Sequence, residues 1–207
     1  MLPTHQFKSR RASLAARPQL HPEIVCTAIY YDAWISYPER LCLELVLDAE
    51  SQCSGAYALN YARPKGAQGD TVVLEDEISG RTLEVKPRIV VNASGAWIDF
   101  TNRTLERQTH YIGGTKGSHI VLEHPELLAA TRGQMLYFAN ADGRICIFYP
   151  FYGKVIAGST DIPVTDPETA FCEEDEVDYI LESMRLVFPA LPRLRDRSNI
   201  VDRKSVV

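Results

Sequence analysis

The chain has 207 residues, 45% of them hydrophobic and 24% charged, which is enough for one large domain or two small ones around a buried core. Its net charge of −5 argues against non-specific binding to nucleic acid. Its apolar runs are much shorter than the roughly 20 residues that a membrane-spanning helix needs.

The N-terminal segment, residues 1–22, is basic and rich in arginine and serine. It contains no continuous apolar stretch, which excludes a secretory signal peptide. A mitochondrial presequence is compatible with the composition, but we favour a solvated tail or a severed linker.

The first third of the chain predicts strands around one helix. We predict strands over 23–35 and 55–64, where β-branched and aromatic residues are frequent. Between them a helix is predicted over 38–50, because this segment opens with a proline and an acidic residue. Residues 71–85 have the pattern of a hairpin with a Ser-Gly turn.

Residues 88–94 form the most continuous apolar run of this region, "RIVVNAS". A strand that is buried on both faces of a parallel sheet has this composition. We therefore expect Val90 and Val91 to be buried, next to the strands around Ile120 and Ile156.

The second half of the chain predicts an antiparallel meander. A strand broken by its glycines is expected over 110–124. Three more apolar segments follow at short spacing, within 133–140, 144–152 and 154–161, and Asp-Gly and Tyr-Gly pairs separate them.

The clearest predicted helix covers residues 172–188, with acidic residues in its first turn and apolar residues at helical spacing. We expect its cap at Thr169 or a neighbour. Residues 191–207 complete no predicted element, and we interpret them as a truncated end. This order of elements predicts an α/β (α+β) fold with a mixed sheet.

The cysteines indicate a reducing compartment. They are odd in number and none has CxxC spacing, so neither a zinc site nor a disulfide framework is predicted. We expect a cytoplasmic protein with no metal site. The five cysteines are Cys26, Cys42, Cys53, Cys146 and Cys172.

Four short stretches carry residues suited to chemistry: "YYDAW" (30–34), "VVNASGAW" (90–97), "GGTKGSH" (113–119) and "AGSTDIPV" (157–164). Lysine suits phosphate binding, and histidine titrates near neutral pH. The order G-x-x-x-x-G-K-[ST] is not met, so the third stretch is not a P-loop. Taken singly, each stretch is explained as well or better as packing, a turn or a loop.

Taken together and in order, these stretches resemble the FAD-dependent glycerol-3-phosphate dehydrogenases and the related glycerophosphate oxidases. The matching segments include "VVNASGAW", "KGSHIVL", "FYPFYGKVIAGSTDIPVTDP" and "EEDEVDYIL", against family forms such as "NATGPW", "KGSHIV" and "GTTD". The resemblance implies a FAD-dependent oxidoreductase fold of the glutathione-reductase-like or D-amino-acid-oxidase-like type.

The family's N-terminal Rossmann βαβ unit, with its G-x-G-x-x-G turn, is not found ahead of residue 20. The resemblance therefore predicts an internal fragment of a flavoenzyme. Residues 23–97 would belong to the FAD-associated region and residues 98–190 to the substrate-binding cap. FAD is the expected cofactor of the parent family, and we expect weak or no FAD binding by this chain alone.

The resemblance also implies roles for individual residues. His119 would be the catalytic base. Substrate-binding residues would be Lys116, Gly117, Ser118, Thr160 and Asp161, with Asp161 near the imidazole. Cofactor-binding residues would be Asn92, Ala93, Ser94 and Gly95.

The function implied is oxidation of sn-glycerol 3-phosphate, a small phosphorylated polyol, to dihydroxyacetone phosphate. Two alternatives remain open: a catalytically silent substrate-binding half or partner-dependent subunit, and a related flavin-dependent amine or hydroxy-acid oxidase. The parent enzyme is expected to associate peripherally with a membrane, and no oligomeric state is predicted.

Overall fold

A computed structural model describes residues 3–207, which form two units. One unit contains the chain up to Tyr31 together with Gly113–Val207, and the other is Asp32–Ile112. The sequence-based regions, 23–97 and 98–190, have different boundaries. Within residues 3–207, no helix combines the length and the apolar character needed to cross a membrane.

Residues 3–22 are folded and contribute to the core of their unit. Strand β1 (Gln6–Ser9) leads directly into helix α1 (Arg10–Ala16), and β1 pairs antiparallel with β2 (Cys26–Ile29). Ser13 is buried, and Leu20 belongs to the hydrophobic core. The solvated tail predicted for residues 1–22 is therefore wrong for the part that the structure describes, because apolar burial fixes it.

Arg17 also ties this segment to the rest of its unit. Its guanidinium donates hydrogen bonds to the carbonyl oxygens of Ala130, at 2.6 Å, and Thr131, at 3.1 Å. The strand predicted over 23–35 is much shorter than expected, since only β2 has strand geometry.

The unit Asp32–Ile112 contains a helix and a three-stranded antiparallel sheet. The helix predicted over 38–50 is confirmed as α2 (Pro38–Gln52). The sheet has the order β3 (Ala62–Gln68), β4 (Thr71–Asp76), β5 (Thr82–Val85), so the predicted hairpin is confirmed. The strand predicted over 55–64 starts only at Ala62.

The predicted buried strand over 88–94 is wrong. These residues have no strand geometry, and Val90 and Val91 are 52% and 83% exposed. A strand needs a neighbour to pair its backbone groups, and none of the described strands pairs with this segment. A single turn of 3-10 helix (Gly95–Trp97) and helix α3 (Ile98–Thr104) follow.

The other unit is built on an antiparallel sheet around β6 (Thr115–Leu122). The predicted meander is confirmed as β7 (Leu136–Ala139), β8 (Ile145–Phe151) and β9 (Lys154–Gly158), with β9 next to β6. The tight turn between β8 and β9 has positive φ at both of its residues, 47° and 76°, which suits a right-handed hairpin twist.

Two further strands complete this sheet. Strand β10 (Ile162–Pro163) pairs with the start of β6, and β11 (Ile200–Val206) pairs with most of its length. The expectation that residues 191–207 complete no element is therefore wrong, because β6 offers a second edge with which β11 pairs.

The core lies between this sheet and helix α5 (Glu174–Val187), with the short helix α4 (Pro125–Thr131) beside it. Each predicted apolar position of α5 is buried, which confirms this helix. The cap is Glu173 rather than Thr169, because the side chains of Glu173 and Glu176 form a capping box. The α/β fold class with an antiparallel meander is thus confirmed. The predicted mixed sheet is wrong for the described residues, because all of their strand pairs are antiparallel.

Candidate functional site

Strand β6 carries the Lys-Gly-Ser-His stretch, and its two faces have different surroundings. Side chains alternate along β6, so Lys116, Ser118 and Ile120 are buried on the core face towards α5. His119 is half-buried on the opposite face, here called the outer face, with Val121. Lys116 and His119 are three residues apart on a strand, and the sheet therefore separates them.

The Lys116 ammonium is held on the core face. Its Nζ donates to Oε2 of Glu176 at 2.7 Å and to the carbonyl oxygen of Phe171 at 2.5 Å. Burial opposes the charged form, but the hydrogen bond and the charge of Glu176 raise the pKa of Lys116. A phosphate-binding role for Lys116 stays a prediction, and it requires the ammonium to leave Glu176.

Glu176 is the centre of a buried polar network between α5 and β6. Its carboxylate also accepts from the Thr160 hydroxyl at 2.6 Å and from the backbone N–H of Glu173 at 2.8 Å. Burial alone would raise the pKa of Glu176, but the N–H of Glu173 and the other donors lower it to about 2. The carboxylate is therefore ionised at neutral pH.

The hydroxyl groups of Thr160 and Ser118 are used inside this unit. Thr160 Oγ1 accepts from the backbone N–H of Ser118 at 2.9 Å, and Ser118 Oγ lies 2.6 Å from Ser205 Oγ. Both residues thus connect β6 to its neighbours. Their role in substrate binding stays a prediction.

The His119 imidazole packs against the backbone of β9. His119 is directly opposite Gly158, and a Cβ added to Gly158 would lie 2.5 Å from Cδ2 of the ring and 2.9 Å from Cγ. Within residues 3–207, no hydrogen bond joins the ring to another group. Burial lowers the pKa of His119, so the ring is neutral at pH 7 with both nitrogens available.

Asp161 does not contact His119 through a hydrogen bond in the described chain. It is exposed, and its Oδ2 lies 3.0 Å from Nη1 of Arg144. The hydrogen bond from Arg144 lowers the pKa of Asp161. Gly117 is closely packed, because a Cβ at this position would lie 3.1 Å from the carbonyl oxygen of Thr160.

The predicted cofactor residues, 92–95, lie in the other unit, Asp32–Ile112, where they lead into α3. Asn92 Nδ2 donates to the carbonyl oxygen of Ile98 at 2.9 Å and to Oδ1 of Asn102 at 2.7 Å. Ser94 Oγ donates to Asn92 Oδ1 at 2.7 Å. The side chains of Asn92 and Ser94 therefore stabilise their own unit.

This segment can bind a cofactor through its backbone N–H groups. The N–H groups of Ala93, Gly95 and Ala96 donate no hydrogen bond to any described residue. A Cβ added to Gly95 would meet nothing within 4 Å, so a ligand can approach the backbone there. The Ser94 N–H donates to Asn92 Oδ1 at 3.2 Å, so the adjacent free N–H groups are those of Gly95 and Ala96. Such a pair can bind the phosphate oxygens of a nucleotide, and the segment fits FAD in this respect.

No set of three or more His, Cys, Asp or Glu side chains in residues 3–207 could hold a metal ion.

Sequence reasoning missed Glu176 and Gly158. Glu176 lies four residues before Ile180 and eight before Met184, which are both buried, so helical spacing alone places this acid on the core face. Gly158 has no positive φ. The glycine is explained by its position opposite His119, and that position is known only from the register of β6 and β9.

Comparisons with known proteins agree with this architecture. The FAD dependent oxidoreductase family matches residues 2–204. A glycerol-3-phosphate dehydrogenase of Synechocystis is 32% identical over 180 residues, which cover 79% of this chain and 32% of that protein. The chain thus spans about a third of the length of this curated relative.

Solved structures show the same fold. A glycerol-3-phosphate dehydrogenase from Bacillus halodurans, in complex with FAD, has a TM-score of 0.77 and 25% identity, over 99% of this chain and 44% of that one. A glycine oxidase from Geobacillus kaustophilus has a TM-score of 0.64 at 19% identity, over 98% and 50% of the two chains, which shows the fold alone. With almost its whole length matched, the chain belongs to the FAD-dependent oxidoreductase family.

Proposed function

We propose that this chain is part of an FAD-dependent oxidoreductase that oxidises sn-glycerol 3-phosphate to dihydroxyacetone phosphate. The similarity to proteins named glycerol-3-phosphate dehydrogenase supports the substrate class. In this proposal residues 98–190 bind the substrate, and the backbone of residues 92–95 contacts FAD.

The observation that carries the proposal is the state of His119. Its imidazole is neutral at pH 7, half-buried and without a hydrogen-bond partner in the described chain. Such a ring is suited to accept a proton from a substrate hydroxyl near neutral pH.

In the reaction, His119 takes the proton of the C2 hydroxyl as the C2–O bond becomes a carbonyl. FAD, when bound, supplies the acceptor for the C2 hydrogen and its two electrons. Packing against Gly158 keeps the imidazole on the outer face of β6. The protonated ring then releases its proton to solvent.

The proposal is tested in a complete, FAD-loaded enzyme that contains this chain, by following the reduction of a dye electron acceptor. We expect reduction with sn-glycerol 3-phosphate and none with glycerol or glycine. Reduction with glycine would instead support an amine oxidase. No reduction with any of the three, while the Bacillus halodurans relative is active in the same assay, would support a catalytically silent half.

We also propose a cytoplasmic location, with peripheral membrane association of the parent enzyme. The location rests on the five cysteines, all of which are free thiols in the structure. Fractionation of cells into cytosol, salt-washed membranes and salt wash tests both points.

A further inference from the structure

The register of β6 with its neighbours places a second cation beside His119. Lys204 of β11 is directly opposite His119, just as Gly158 of β9 is on the other edge. Directly opposed residues of an antiparallel pair have their side chains on the same face, with Cβ atoms about 5 Å apart. Lys204 therefore lies on the outer face with the imidazole.

A hydrogen bond one position along confirms this assignment of faces. Ser205 is opposite Ser118, and their hydroxyl oxygens are 2.6 Å apart on the core face. The adjacent residue on each strand, Lys204 and His119, must point the other way.

The Lys204 ammonium is available for a ligand. Lys204 is exposed, and none of the carboxylates in residues 3–207 lies within ion-pair distance of it. The nearest acid on its own face of β11 is Asp202, opposite Val121 and two positions away. Lys116, by contrast, is buried against Glu176 on the core face.

On the outer face, the His119 ring and Lys204 lie on different sides of β6. The His119 ring leans over Gly158, on the β9 side of β6. Lys204 is on the β11 side, so the imidazole does not lean towards the ammonium. A ligand on this face can therefore contact both groups.

We propose that Lys204 binds the phosphate group of the substrate while His119 faces the adjacent C2 hydroxyl. The inference rests on the function proposed above. In glycerol 3-phosphate the phosphate is attached to the carbon next to C2, so a base for the C2 hydroxyl and a cation for the phosphate must be side by side. Opposed residues on neighbouring strands have this spacing, and lysine binds phosphate as a point charge.

The test is an NMR titration of the purified chain, in which the His119 imidazole signals and the Lys204 amide signal are followed. We expect sn-glycerol 3-phosphate to shift both signals along a saturable curve. Lys204→Met should raise the dissociation constant for sn-glycerol 3-phosphate about three- to tenfold. This is the range for an exposed charge pair that forms a charge-assisted hydrogen bond. Lys204→Arg should retain most of the affinity.

A matched control is Lys154→Met, because Lys154 is a lysine on the neighbouring strand β9 whose ammonium pairs with Glu123 at 3.2 Å. This variant should bind sn-glycerol 3-phosphate as the unmodified chain does. Equal weakening in both variants would mean that only net charge matters, and would overturn the proposal.

The remaining outcomes separate the two proposals. Unchanged affinity of Lys204→Met overturns the role of Lys204 and leaves the proposed function intact. A shift of these NMR signals with FAD but not with sn-glycerol 3-phosphate would assign the site to the phosphates of the cofactor. That result would also overturn the role of Lys204. Lys204-dependent binding of inorganic phosphate, without oxidation of sn-glycerol 3-phosphate by a complete enzyme that contains this chain, supports the phosphate site and contradicts the proposed function. No response to any phosphate overturns the inference.

Discussion

At the scale of single residues, the buried pair of Lys116 and Glu176 joins helix α5 to strand β6. Both side chains are almost completely buried, at 7% and 1% exposed, and the carboxylate also accepts from Thr160 and Glu173. Desolvation of two charges offsets much of their attraction, so such a pair stabilises the fold little compared with apolar residues. Removal of one partner destabilises the fold, since the other charge then stays buried without a counter-charge.

Glu176→Gln is therefore expected to destabilise the chain by about 3–5 kcal/mol, because the Lys116 ammonium loses its counter-charge. The double variant Lys116→Met/Glu176→Leu should recover most of this loss. Urea unfolding at pH 7 measures both. A double variant that is less stable than Glu176→Gln would contradict this account of the pair.

The same carboxylate predicts a dependence of stability on pH. Its pKa is lowered from 4.5 to about 2 by folding, so its contribution is complete above pH 4.5 and is lost as the pH falls towards 2. Between these pH values the unmodified chain should lose stability more steeply than Glu176→Gln. Parallel curves would show that Glu176 does not titrate in this range.

In a complete enzyme that contains this chain, His119→Ala is expected to lower turnover of sn-glycerol 3-phosphate by roughly 10²–10⁴, the usual contribution of a general base. Because burial lowers the pKa of His119 below 6.5, the unmodified protein should lose activity only as the pH falls below this value. The variant should lack this acidic limb. Unchanged turnover at saturating substrate would remove His119 from the mechanism.

At the scale of elements, strand register decides which residues meet. A strand over 110–124 was predicted, but the roles assigned to Lys116 and His119 ignored the alternation of side chains along it. As a strand, this stretch directs Lys116 and His119 to opposite faces. The neighbour of His119 on its own face, Lys204, is 85 positions away in sequence, and no local pattern indicates that distant pairing.

The elements that local pattern specifies were predicted well. Helix α5 has its apolar residues at helical spacing, and the β8–β9 turn has a glycine where positive φ is needed. Residues 88–94 show the limit of this reasoning. Their apolar composition indicates a buried strand, yet composition cannot supply the partner strand that pairs the backbone, and Val91 is exposed.

Gly158→Ala is expected to destabilise the chain by about 1–3 kcal/mol, because the new methyl group would overlap the His119 ring and lie 2.7 Å from the Ser118 carbonyl oxygen. In a His119→Ala background the ring contacts are absent, so the cost should be smaller. Urea unfolding of the four proteins of this double-mutant cycle measures the difference.

Gly66→Ala is the matched control for this cycle, since Gly66 is also in a strand and a Cβ there would meet nothing within 4 Å. It should change stability little. Equal costs of Gly158→Ala in the two backgrounds would show that the ring does not occupy the space above Gly158.

At the scale of the whole molecule, the predicted site residues are divided between two units. Residues 92–95 belong to Asp32–Ile112, and the residues around His119 belong to the other unit. The resemblance of ordered motifs predicted the family correctly. It did not predict the division of the chain, because a motif reports the local chemistry of a segment and not the set of contacts in which it folds.

The purified 207-residue chain is expected to bind FAD weakly. Residues 92–95 offer a few backbone N–H groups, whereas a Rossmann turn also places a glycine-rich loop and a helix N-terminus against the pyrophosphate. No G-x-G-x-x-G occurs in the sequence. Gel filtration after incubation with FAD, followed by an absorbance scan, should give a colourless protein. A stoichiometric flavin peak that survives gel filtration would contradict this prediction.

The position of β6 in its sheet has a consequence for motion. The same residues of β6 pair with β9 and with β11, so backbone hydrogen bonds hold both edges of the strand. Its amides should therefore exchange with solvent deuterium only when several strands separate together, on the slowest timescale of the unit. We therefore expect the backbone of His119 to keep its position when a substrate binds. Any adjustment to the substrate should come from side chains, above all from the long side chain of Lys204.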